Sequence, residues 1–151
     1  EGIPVWFHVD GFSGDIHEMN TINHYVGMYP LEDGAKIERA LGPFLMLGIS
    51  LLMILFICIR KKWSWIFMLP SALFPLGFFA FYSGWMYWFG HNMQEWGAFK
   101  IKAFMPTALG VGHVAHFTTK SFPSIGFWIL VIIAVLSVLA LLARRNELKK
   151  Q

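Results

Sequence analysis

Three uncharged apolar runs, residues 40–59, 63–89 and 124–143, constrain this chain more than any other feature. A helix rises 1.5 Å per residue, so about 20 apolar residues cross a hydrocarbon core of about 30 Å. All three runs reach that length. Lipid supplies no partner for backbone N–H and C=O groups, so a span of this kind has to be helical. Charged residues make up 14% of the chain and apolar residues 56%, whereas soluble domains keep about 25% charge to wet their surface. The runs are continuous blocks without an amphipathic period. Neither a soluble core nor a single-pass anchor accommodates them. The predicted fold class is therefore an all-α integral membrane protein with three transmembrane helices.

The charges set the expected topology. Arg60, Lys61 and Lys62 fill the turn between the first two runs, and Arg144, Arg145, Lys149 and Lys150 come after the third. These are seven of the twelve basic residues, and Glu147 is the only one of the nine acids beside them. Three spans put both clusters on one side, and the positive-inside rule makes that side cytoplasmic. Residues 1–39 then form an extracytoplasmic head and residues 90–123 an extracytoplasmic loop. Residues 60–62 form a cytoplasmic basic turn and 144–151 a cytoplasmic tail. The expected location is a bacterial inner (plasma) membrane, with the N-terminus outside. The sequence opens on Glu1 without a methionine, which with an outward head predicts removal of a signal peptide.

Local signals organise the rest. Residues 5–10 have strand content, and Gly11, Ser13 and Gly14 mark a turn region directly after them. Asp15 with Glu18 three residues on has the form of a capping box. It predicts a short helix over 16–26, stopped by Gly27 and Pro30. Pro43 is expected in the first turn of span one, and Pro70 and Pro75 are expected to kink span two. Tyr82, Trp85, Tyr87, Trp88 and Trp96 read as an outer aromatic belt, Trp63 and Trp65 as an inner one. Residues 94–105 are a candidate interfacial helix, with Trp96, Phe99 and Phe104 toward lipid and Lys100 and Lys102 toward headgroups.

All six histidines, His8, His17, His24, His91, His113 and His116, fall in the outward segments, and methionines accompany several of them. On a helix, His17 and His24 lie seven residues apart, about 20° short of two full turns, and share a face about 10.5 Å apart along the axis. His24 and Met28 are closer if the helix continues past Gly27. His113 and His116 share a face if their segment is helical. Imidazole with thioether suits copper: sulfur favours Cu(I), and imidazole serves both oxidation states. The candidate metal ligands are His17, His24, Met28, His113 and His116, with Asp10, Asp15 and Glu18 as further or supporting groups. The plain alternative is that these are ordinary polar residues of wet loops, and for His8 and His91 that reading is preferred. An outer-side haem held by His91, His113 or His116 is a second cofactor reading.

Absences narrow the function. Cys58 is the only cysteine, which leaves no internal disulfide, CxxC pair, iron–sulfur set or c-type haem motif. The runs contain no Asp, Glu, Lys, Arg or His, so this chain alone carries no proton relay, ion path or voltage sensor. There is no phosphate loop, nucleophile elbow or HExxH, and the outward bases make no nucleic-acid footprint. A head bearing histidine and methionine on a few spans resembles copper-handling and respiratory accessory proteins as a type, without a motif that assigns a family. The expected function is a small accessory or structural subunit of a membrane-bound redox or copper enzyme complex. It would face the periplasmic side and be partnered by lipid and by other integral membrane subunits. A stand-alone copper chaperone or sensor is the alternative. A catalytic role for the chain alone ranks last, because the sequence holds no nucleophile–base pair and no complete metal set.

Overall fold

The computed structural model describes residues 2–98, 102–114 and 117–149. Strands β1 (Val5–Phe7) and β2 (Phe12–Gly14) open the chain, followed by helices α1 (Ile16–Tyr25), α2 (Lys36–Cys58) and α3 (Leu69–His91). Strands β3 (Gly110–Val114) and β4 (Phe117–Ser121) lead into α4 (Ile125–Lys149). Three of these helices are long and apolar enough to cross a membrane. The chain resolves into two compact units, Glu1–Pro43 with Phe81–Phe122, and Phe44–Ala80 with Pro123–Gln151.

In the first unit, β1 and β2 pair antiparallel with Phe7 opposite Phe12, and the turn is closed by the His8 N–H to the Gly11 carbonyl at 2.8 Å. The Asp15 N–H donates to the Pro4 carbonyl at 2.9 Å, tying the hairpin to the start of α1. The expected capping box is not made, for the Asp15 side chain bonds no helix N–H. The end of α1 is well defined. Gly27 takes φ of +77°, its N–H donates to the His24 carbonyl, and the Met28 N–H reaches back to the Asn23 carbonyl at 2.7 Å. This is the Schellman arrangement, in which a left-handed glycine satisfies carbonyls that the helix end leaves unpaired. Asn20 then holds the next turn, accepting from the Leu31 N–H at 2.9 Å and donating to Glu32 at 2.7 Å.

Helix α2 starts at Lys36, earlier than residue 40, because polar side chains can solvate the turns ahead of the apolar run. Lys36 pairs with Asp33 at 2.6 Å, while Arg39 donates to the carbonyls of Gly34 and Glu32 and covers the Phe12 ring at 4.5 Å. Pro43 accordingly lies inside the helix and not in its first turn. In the second unit a 3-10 stretch, Ser64–Met68, precedes α3. Pro70 falls at this changeover, where its missing N–H interrupts nothing, and Pro75 is the proline within the regular helix.

Among the described residues, two sets of polar contacts join the helices of the second unit. The hydroxyls of Ser71 on α3 and Ser137 on α4 lie 2.7 Å apart in a buried pair, and Ser137 also donates to the Ile133 carbonyl. Arg144 of α4 donates to the Ile59 and Phe56 carbonyls at 3.2 and 3.3 Å, with its guanidinium 4.7 Å above the Phe56 ring. It thereby pairs carbonyls left over at the end of α2. Otherwise the long helices bury little. Of their most apolar stretches only 11, 22 and 11% is buried within the chain.

The stretch from 94 to 105 departs from expectation. No interfacial helix forms in its described residues, and residues 99–101 lie outside them. Its backbone donors are used across the fold: the Gln94 N–H bonds the Gly27 carbonyl at 2.7 Å and the Phe104 N–H bonds the Gly90 carbonyl at 3.2 Å. The segment around His113, where a helix would have put His113 and His116 on one face, forms the antiparallel pair β3–β4. Its register pairs His113 with Thr118 and Val114 with Phe117. The threonines at 118 and 119 suit a strand, and the glycines at 110 and 112 weaken a helix.

Candidate functional site

The candidate ligands occupy separate parts of the first unit. His17 and His24 both lie exposed on α1. Met28 does not continue their stripe. The helix ends at Tyr25 and the left-handed turn at Gly27 redirects the chain, so His24 and Met28 are not a pair one helical turn apart. His113 sits exposed on β3 with Nδ1 3.1 Å from the Thr118 hydroxyl. His116 lies outside the described residues. Among the described residues no three side chains of His, Cys, Asp or Glu converge on a point that could hold a metal ion.

The histidines differ in what their rings do. His8 bonds Ser13 at 2.6 Å, and His91 bonds the Tyr87 carbonyl at 2.9 Å while stacking on that tyrosine at 3.8 Å. Both rings thus make local contacts. Among the described residues, His17 and His24 make no hydrogen bond through their rings.

His24 instead faces an aromatic group that sequence spacing did not reveal. Its ring stacks on Trp96 at 6.4 Å, Trp96 meets Tyr29 edge-on at 6.1 Å, and Tyr29 stacks on Trp88 at 5.3 Å. Trp88 then contacts Trp85 and Phe89 at 5.4 Å each. Several residues that read as a membrane belt thus pack against the end of α1. The loop that carries Trp96 is held there by the Gln94–Gly27 backbone bond and by the Gln94 side-chain amide donating to the Tyr29 hydroxyl. The two segments come so close that a Cβ at Gly97 would stand 2.7 Å from the Gly27 nitrogen. Nothing in the sequence distance between 24–29 and 93–97 announces this meeting. The glycines at 27 and 97, the two places where side chains would keep the backbones apart, are its only trace.

In the second unit, Pro75, Phe79, Phe127, Val131, Val135 and Leu139 line part of an apolar groove of about 460 Å³ between α3 and α4. It offers shape and no chemistry. The architecture defines a class, a protein with three helices long and apolar enough to cross a membrane and a separate compact unit that bears histidine, methionine and aromatic residues. Compared with protein-family models, curated proteins and solved structures, the chain matches none.

Proposed function

We propose that this protein is an accessory subunit of a membrane-bound redox or copper enzyme complex, with its head on the periplasmic side of a bacterial inner membrane. In this reading residues 1–39 and 90–123 lie outside, and the Arg60–Lys62 cluster and the C-terminal tail lie in the cytoplasm. The carrying observation is the small share of α2, α3 and α4 that is buried within the chain. Helices that pack so sparsely on one another leave whole faces to lipid and to the helices of other subunits, since association in a membrane depends on close packing. The exposed Trp6 and Phe7, 51 and 43% accessible at the hairpin, favour a protein neighbour for the head as well. His17, His24, Met28, His113 and His116 are the proposed ligands that the head would bring to a shared copper centre.

Purification in mild detergent with metal analysis of whatever co-migrates tests this. The expected result is a stable assembly with other membrane subunits and bound copper. A monodisperse, stable monomer in every gentle extraction would reject it. The second reading, a stand-alone copper chaperone or sensor, is favoured by one feature: the exposed His24 ring, whose nitrogens make no hydrogen bond among the described residues. It predicts stoichiometric copper in the isolated chain.

A further inference from the structure

We propose a specific soft-metal site on the head, in which His24, Met28 and Met93 ligate a Cu(I) ion against the face of Trp96. It deepens the proposed copper role of the head and rests on it. The backbone brings the parts together. The Gln94 N–H bonds the Gly27 carbonyl at 2.7 Å, and Met28 and Met93 are the residues next to these two groups. Standard bond lengths then hold the two methionine Cα atoms within about 8 Å of each other, a gap that two thioether side chains can close from either side. Both methionines are half-buried, and the exposed His24 ring, already stacked on Trp96 at 6.4 Å, commits neither nitrogen to a hydrogen bond among the described residues.

The donor set selects the ion. Two thioethers and one imidazole are neutral and soft, which suits Cu(I) and disfavours Zn²⁺ and hard cations. An indole face attracts a cation within about 6 Å of its centroid, adding electrostatic stabilisation without another ligand. A site of this composition does not need three residues of the His, Cys, Asp and Glu group, so their dispersal in the head does not count against it. Met93 and Trp96 come from the loop, and no spacing in the sequence connects either of them to His24 and Met28.

The test is titration of the full-length chain in detergent with Ag(I), a redox-inert soft ion, and with Cu(I) against a competing Cu(I) chelator, followed by tryptophan fluorescence. One ion per chain with quenching is expected. Met28→Leu with Met93→Leu, a change that keeps side-chain volume, should weaken binding at least tenfold, and His24→Gln should do the same. Trp96→Phe should retain the ion and lose most of the quenching. Far-UV circular dichroism and the elution profile of each variant verify folding. Unchanged Ag(I) affinity in the double methionine variant overturns the site, as does quenching that survives in Trp96→Phe. Binding abolished by His113→Ala but indifferent to the other changes would reject this site while leaving the copper reading standing. A chain that binds no soft ion yet co-purifies with membrane partners would reject the site and keep the accessory-subunit reading.

Discussion

Gly27 carries more of the head than its size suggests. It terminates α1 from the left-handed region, and a Cβ there would stand 2.6 Å from the Gln94 carbonyl oxygen. Gly27→Ala meets both backbone strain and a backbone clash, at a combined cost of about 1–3 kcal/mol. The thermal midpoint of the detergent-solubilised protein should fall by several degrees, and the His24–Trp96 stack should loosen, which near-UV circular dichroism reads directly. An unchanged midpoint would mean the cap is not built as described. Asp15 is the contrasting case. It has the sequence form of an N-cap but bonds no helix N–H. Asp15→Ala should therefore cost under about 0.5 kcal/mol where an engaged cap costs about 1. The same thermal measurement decides it. The motif was legible; whether the carboxylate rotates onto the helix depends on where the preceding strand enters, and here the entry is fixed by the Pro4–Asp15 backbone bond.

Among the elements, the long helices are joined by few polar contacts, which makes each one testable. Arg144 spans from α4 to the end of α2 and pairs two carbonyls there. Arg144→Met keeps the apolar stem and removes both bonds, and should destabilise the protein by about 2 kcal/mol. Denaturant unfolding of the second unit measures it, with Arg144→Lys expected to recover part of the loss. A variant as stable as the parent would show that water pairs those carbonyls equally well. Ser71 and Ser137 form the buried hydroxyl pair between α3 and α4. A double-mutant cycle with alanine at both should give a coupling of about 0.6 kcal/mol, the usual size for a hydrogen bond between membrane helices. By composition alone, all three runs lack a polar lining. Serine is tolerated anywhere in such a run, so only the facing helix reveals which one finds a partner.

For the whole molecule, the proposed orientation yields its own measurement. In a Cys58→Ser background, Asn92→Cys should react with a membrane-impermeant thiol reagent in intact cells, whereas Lys62→Cys should react only after lysis. The opposite pattern would invert the topology and remove the periplasmic copper reading with it. The sequence by itself determined that three helices of this length exist and that the fold is of the membrane type. The cause is the cost of leaving backbone groups unpaired and charges unsolvated in hydrocarbon, which acts on composition and run length alone. It also marked the stop of α1, since Gly27 and Pro30 act locally. Only the tertiary structure decided that residues 94–98 pack on the end of α1 and that His113 lies on a strand. It likewise decided that Arg144 caps α2 and that Trp96 faces His24. Each of these depends on contacts between residues far apart in the chain. Their energies come from packing and hydrogen-bond geometry, which composition and short-range spacing do not encode.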